Sequence, residues 1–266
     1  MSDEKPWRLG FQEDSARYEA ASQNARVWTE SWIKNTMYCP NCGAQRIRQL
    51  ANNNPGADFE CETCSEEYEL KSQKTKFSGK VVDGAYGSMS ERLTTNKNPN
   101  LILLNYDLAR LTVTNLIVVP KHFFTLNLIE RRKPLAATAR RAGWIGCNIL
   151  VRDLPQSAKI SVLRDEVQMP KELVLQEWRR TLFLRDESLS ARGWLIEVMK
   201  CVEAIGARDF SLGDVYKFED RLARLYPENM HVKQKIRQQL QVLRDGGFLE
   251  FLGQGRYRLR SVQSEG

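Results

Sequence analysis

The 266-residue chain has no apolar run approaching the roughly 20 residues needed to cross a bilayer. Its opening, MSDEKPWRLGFQEDSARYE, is too charged to be a secretory signal, so no membrane partner is expected and the chain reads as soluble and cytoplasmic. There is no internal repeat and no low-complexity segment. Histidine is scarce: His122 and His231 stand alone without triad partners, and neither is given a catalytic role. Cysteine is also sparse, and 6 residues in a cytosolic-looking chain suggest metal ligands or buried thiols rather than a disulfide framework. Neither charge sign dominates. Lys plus Arg number 40 against 33 Asp plus Glu, a net +7 that permits a polyanionic partner without demanding one. Hydrophobic residues at 42% are enough for a real core, and the length fits one large or two modest domains.

Residues Tyr18, Ala21, Ala25, Trp28 and Trp32 recur at steps of three and four, which predicts a helix from about Asp14 to Lys34. A Cys-, Asn- and Gly-rich stretch follows. The run SMSERLTTN reads as a helix, and LILLNY and LTVTNLIVVP as two buried strands. KISVL suggests another strand, and PKELVLQEWRRTLFL a helix opened by Pro170. Beyond Asp186 the texture changes to three amphipathic helices, the first with Ser190 as its expected N-cap, the second from Ser211 to Pro227. The third is closed by Gly246–Gly247, and the hairpin FLEFLGQGRYRLR follows. That is the order of a winged helix. The predicted division is therefore residues 1–185 and residues 186–266.

Cys39-Pro-Asn-Cys42 and Cys61-Glu-Thr-Cys64 are two CxxC pairs separated by 18 residues. Each pair presents two thiolates from one knuckle, and together they complete a closed tetrahedral zinc shell with no position left for substrate. The alternatives are reduced thiols or a redox pair, and neither explains two matched pairs. A structural zinc is expected. Cys147 and Cys201 read as small buried side chains.

Just inside and outside this loop lie Asp58, Glu69 and Lys71. If ADFEC and EEYELK are strands joined through the second knuckle, Glu69 and Lys71 share a face and Asp58 comes from the neighbouring strand. Two converging carboxylates suit a magnesium ion, which borrows phosphate oxygens and activates water. A lysine beside them orients the nucleophile and stabilises the transition state. Such a set hydrolyses phosphodiesters. Taken alone, D…ExK also arises on solvated strand faces. Glu66 and Glu67 are competing acids. Glu30 is a candidate extra ligand, better read as an exposed helix charge.

In the last helix Val232, Ile236, Leu240 and Leu243 form the inner face. Gln234, Gln238 and Gln241 point outward, flanked by Lys233, Lys235 and Arg237. Amides there can read adenine in the major groove while the cations hold phosphates; the alternative is a solvated helix face. Arg256, Arg258 and Arg260 alternate on the wing. A loop with 5 basic residues and no acid, RRKPLAATARR, ends at Arg140–Arg141 just before the Gly-flanked Trp144. That indole either packs on a base or methyl group or anchors the loop.

The segments ARVWTESW, YCPNCG, ADFECETCSEEYELKS, DGAYGSM, RKPLAATARRAGWIGCNI and KIRQQLQVLRD closely resemble the DpnI family of methyl-directed restriction endonucleases, from about Asn24 to Leu259. The resemblance implies an α/β (α+β) PD-(D/E)xK nuclease core with an inserted four-cysteine zinc site, followed by an α+β winged-helix domain. It implies metal-dependent cleavage of double-stranded DNA at GATC bearing N6-methyladenine. Asp58, Glu69 and Lys71 stand where the nuclease motif requires them, and by the same likeness the Leu70 carbonyl is a further magnesium ligand. Ala57 occupies the position where the motif name has proline. The expected DNA contacts are Arg140, Arg141, Trp144, Lys233, Lys235, Arg237, Gln238, Gln241, Arg256 and Arg258, and the chain is expected to be monomeric in solution. Two rivals remain: a winged-helix regulator without nuclease activity, and a nuclease of this fold with another specificity.

Overall fold

The computed structural model describes residues 7–11, 21–51, 54, 56–77 and 79–260. The first helix is α1 (Ala21–Thr36), and the expected first turns with Tyr18 lie outside the described residues. After it come β1 (Arg48–Gln49), β2 (Phe59–Glu60), β3 (Glu67–Gln73), β4 (Val81–Ala85) and α2 (Tyr86–Thr94). The two apolar runs form β5 (Asn100–Asp107) and β6 (Thr112–Val119), followed by β7 (Ile129–Arg131), β8 (Gly146–Ile149), β9 (Ile160–Arg164) and β10 (Val167–Gln168). Among the described residues, 7 strands make one sheet in the order β1-β2-β3-β5-β6-β9-β10. Only β3 and β5 run parallel within it; the crossover between them carries β4 and α2. A second sheet, β4-β8-β7, sits beside it.

Alternation explains the unbroken apolar run Leu101–Leu104 in β5. Leu101 and Leu103 join one hydrophobic cluster, while Ile102 and Leu104 join another. Successive side chains of a strand point to opposite faces, so a strand covered on both faces reads as a continuous apolar run. On one face pack α1 and α3 (Lys171–Arg179), with Trp32, Ile33 and Trp178 fully or nearly buried. Pro170 is the cap of α3 rather than its first residue, and the expected longer helix ends at Arg179, giving way to a 3-10 turn over Leu182–Asp186.

The C-terminal region opens with α4 (Leu189–Ile205), capped by Ser188 and not Ser190: the Ser188 hydroxyl accepts the Ala191 N–H at 3.3 Å. The helix ends at Gly206 in the left-handed conformation, φ +71°. A short strand, β11 (Asp209–Ser211), precedes α5 (Leu212–Tyr216), so the single helix expected here is two, with α6 (Glu219–Leu225) following a break at Lys217–Phe218. A capping box of Ser211 and Asp214 starts α5. Then come α7 (Val232–Asp245), β12 (Leu249–Gly253) and β13 (Arg256–Leu259), the strands forming a three-stranded sheet β11-β13-β12. The fold is thus a mixed α/β domain with a helix-turn-helix-like C-terminal domain.

The two regions share apolar contact. Leu101, Phe123 and Leu184 lie in the same buried cluster as Trp194, Met199, Leu243 and Phe248. Polar contacts reinforce it: the Glu203 carboxylate accepts the backbone N–H groups of Gln156 and Ser157, and the Arg180 guanidinium lies 4.5 Å from the Phe248 ring centre. No helix among the described residues is long and apolar enough to cross a membrane.

Candidate active site and nucleic-acid surface

Cys39, Cys42, Cys61 and Cys64 converge. Their sulfur atoms all lie within 4.8 Å of one another, and among the described residues no other group of three or more His, Cys, Asp or Glu side chains meets that condition. The Cys39–Cys64 and Cys42–Cys61 pairs are each 3.6 Å apart. Four ligands about 2.3 Å from a zinc ion at tetrahedral angles would be spaced about 3.8 Å apart, so the cluster is compatible with zinc. Local backbone makes each knuckle: the Gly43 N–H bonds Cys39 O, and the Ser65 N–H bonds Cys61 O. Ser65 adopts φ 57° to close the second. Burial pushes the Cys39 thiol well up from its ordinary value, and the Tyr68 hydroxyl 3.2 Å away is its nearest polar partner.

The second knuckle joins β2, which begins just after Asp58, to β3, which carries Glu69. In the β2–β3 ladder Phe59 faces Tyr68 and Glu60 faces Glu67, which sets Asp58 beside the middle of β3. Its carboxylate accepts the Leu70 N–H at 2.8 Å, with the Arg26 guanidinium 4.0 Å from the other oxygen. Glu69 and Lys71 are two residues apart on one face of β3 and form an ion pair of 2.6 Å. The arrangement contains a residue that sequence reasoning missed. Asp83, from β4 of the second sheet, accepts the same Lys71 ammonium at 2.7 Å, and its side chain is only 6% exposed.

These three groups set one another's charge. Burial pushes the Glu69 carboxyl up to about 7; the Lys71 charge opposes that, and Asp83 adds to it. Burial works against the Lys71 ammonium, but the Glu69 and Asp83 carboxylates outweigh it and hold the lysine above its ordinary value. For Asp83 burial is likewise outweighed, here by the Lys71 charge, and its carboxyl is held below its ordinary value. Glu30 is not an exposed helix charge. It is 8% exposed, paired with Arg26 and accepting the Gln49 amide at 2.9 Å. Glu66 is also buried, bound by Asn100, Lys121 and Arg185, whereas Glu67 is exposed. His122 is buried against Thr181, its Nε2 2.8 Å from the hydroxyl. A cavity lined by Trp7, Trp28, Trp32 and Tyr38 lies apart from this site: none of Asp58, Glu69, Lys71 or Asp83 lines it.

The expected nucleic-acid residues divide into free and engaged groups. On α7, Val232, Ile236, Leu240 and Leu243 are buried, and Gln234, Gln238 and Gln241 are exposed. Arg237 is exposed with no ion pair among the described residues. Lys235 donates to the Gln238 side chain at 2.9 Å. Lys233 is held 3.2 Å from Glu219 and lies 5.6 Å from the Tyr216 ring centre. On the wing Arg256 is exposed, while Arg258 forms a two-pronged pair with Asp209 on β11 at 2.7 and 2.8 Å. Arg140 and Arg141 are exposed in the loop between β7 and β8. Trp144 ends that loop half-buried. Its ring covers Gly146, where a Cβ would meet the indole at 2.7 Å.

A mixed sheet presenting carboxylates and a lysine beside a four-cysteine cluster, followed by a helix-turn-helix-like module, defines a class that comparison with known families specifies further. Residues 9–187 match the family model described as DpnI: Dam-replacing family, and residues 190–259 match that of the Dam-replacing HTH domain. The chain belongs to the Dam-replacing (DpnI) family.

Proposed function

We propose that this protein is a methyl-directed type II restriction endonuclease that cleaves double-stranded DNA at GATC sites containing N6-methyladenine. The observation that carries the reading is the ion pair of Glu69 and Lys71 on one face of β3, with Asp58 just before β2 bonded to the Leu70 N–H between them, in a chain of this family. Asp58, Glu69 and the Leu70 carbonyl would hold magnesium, whose charge would offset that of the scissile phosphate. The donor set is all oxygen, which suits a hard cation. Cys39, Cys42, Cys61 and Cys64 would hold a zinc ion that fixes the β2–β3 strands.

Lys71 then orients the attacking water and stabilises negative charge on the transferring phosphorus centre. Glu69 has to release its hold on the ammonium before it serves a cation, which makes its contact with Lys71 a resting arrangement. The region from 186 to 266 acts as the DNA-reading domain: Gln238 and Gln241 face bases, and Lys233, Lys235, Arg237, Arg256 and Arg258 face phosphates. Arg140, Arg141 and Trp144 form a second contact surface on the region from 1 to 185, the indole meeting the methyl group. Plasmid DNA prepared from adenine-methylating and non-methylating hosts tests the reading. Fragmentation of the first alone, dependent on added magnesium, is the expected result; equal fragmentation of both would remove the methyl-directed specificity, and none would favour a non-cleaving regulator.

A further inference from the structure

Asp83 occupies a position where the strand pattern asks for an apolar side chain. Along β4, Val81 is 7% exposed and Val82 60%, so Asp83 is the next inward residue. It faces Cys147 on β8, itself fully buried. A carboxylate taken into such a place is costly unless it is paired. Its partner is Lys71, which arrives from a different sheet. Directly after Asp83 the β4–β8 register slips, leaving Gly84 as an extra residue. Bulges of this kind re-aim the side chains beside them and recur next to active sites.

The lysine is thus gripped from two sides by carboxylates with different duties. Glu69, at 2.6 Å, sits on the same strand and belongs to the set that would turn toward a cation. Asp83, at 2.7 Å, comes from the second sheet. When Glu69 turns away, Asp83 is what keeps the ammonium where a strand-borne lysine would otherwise swing into solvent. We infer that Asp83 is a positioning residue that holds Lys71 in its working orientation while Glu69 is engaged elsewhere. The inference rests on the nuclease reading above and adds a fourth side chain to its machinery. The other end of β4 continues into Tyr86, whose N–H bonds the Ile145 carbonyl next to Trp144, so the strand that sets Lys71 is hydrogen-bonded to the end of the basic loop.

Asp83→Asn is the variant of choice, because the amide keeps the shape and an acceptor oxygen while Glu69 still neutralises the lysine. Single-turnover cleavage of a methylated GATC duplex should slow about 10- to 100-fold, the usual loss when a supporting partner is removed. DNA affinity measured in EDTA and the melting temperature should stay close to wild type. A readout independent of cleavage is acylation of Lys71 in metal-free protein, followed by peptide mass spectrometry; Asp83→Asn should label several-fold faster. Unchanged cleavage, or labelling of Lys71 no faster than in wild type, would overturn the positioning role. If Asp83→Asn and Asp83→Ser both fail to melt cooperatively, Asp83 is a folding residue and the inference is likewise overturned. A wild-type protein that does not cut at all would sink the nuclease reading, a different result from a cutting enzyme indifferent to Asp83.

Discussion

Replacing Cys61 by serine is the most informative single perturbation of the scaffold. Cys61 is fully buried, its N–H bonds the Glu66 carbonyl, and its sulfur is 3.6 Å from that of Cys42. Structural zinc contributes about 10–16 kcal/mol to folding of small zinc modules near neutral pH. Divided evenly over four ligands, one thiolate accounts for roughly 2.5–4 kcal/mol on that scale. Since about 1 kcal/mol moves the midpoint of a 150–250-residue domain by roughly 2–4 °C, the melting temperature should fall by about 5–16 °C. The loss should reach the site as well, because the knuckle joins β2 to β3, and Asp58 and Glu69 are placed by that ladder. Zinc content by atomic absorption, a thermal melt and cleavage should be measured on the same preparation. Wild-type protein should carry one zinc per chain, and Cys61→Ser less than one with the lower midpoint and reduced cutting. Wild-type protein that holds no zinc and still cuts, or a Cys61→Ser protein that melts and cuts like wild type, would refute the reasoning.

Arg237→Ala and Arg256→Ala should weaken binding to every DNA sequence and flatten the salt dependence by about 0.9 for each phosphate no longer neutralised, as read by titration at several salt concentrations. Gln238→Ala should instead erode sequence preference at nearly constant salt slope; the reverse pattern would reassign these side chains. Trp144→Ala should reduce discrimination between methylated and plain GATC by roughly fivefold, the worth of about 1 kcal/mol of apolar contact. Its midpoint should fall less than the about 3–5 kcal/mol loss of a true core tryptophan requires, and a stable variant with unchanged discrimination would exclude the indole from methyl reading. For His122, burial pushes the imidazole from 6.5 down to about 3, with Arg185, Arg192 and Lys121 adding to it. The unfolded chain takes up a proton that the folded chain refuses, so this contribution is complete above pH 6.5 and is lost as pH falls toward 3. The slope is about 1.4 kcal/mol per pH unit, and His122→Gln should remove it from urea melts taken between pH 6.5 and 5; parallel curves for the two proteins would contradict it.

What the sequence makes legible is local. The zinc cluster can be read because each knuckle needs only four consecutive residues, and Asp58, Glu69 and Lys71 because a short knuckle fixes the two strands that carry them. The inner face of α7 follows from its spacing, and β5 from its central apolar run Leu101–Leu104. What stays hidden depends on distant parts of the chain. The second sheet is built from strands of 3 to 5 residues, one of them interrupted by a bulge, too short for a period to declare itself. Asp83 therefore goes unmarked by the sequence pattern, although it is an inward strand residue. Glu30 is hidden for the same reason, since only Arg26 and Gln49 in place make its burial tolerable. The cations of the C-terminal domain look equivalent along the chain, yet Glu219 and Asp209 occupy Lys233 and Arg258, while Arg237 and Arg256 have no ion pair among the described residues. A single expected helix is replaced by α5 and α6, with Phe218 at the start of the second making no side-chain capping bond.

The central claim is that Asp58, Glu69 and Lys71 cut methylated GATC with the help of a divalent ion. It is tested most directly by following a short duplex with one GATC site, methylated or plain, under single-turnover conditions in magnesium and in EDTA. The wild-type chain should cleave only the methylated duplex and only in magnesium, while Asp58→Ala, Glu69→Ala and Lys71→Ala bind it within a few-fold of wild type and leave it intact. Cleavage at the wild-type rate by all three variants, or cleavage that persists in EDTA, would contradict the account.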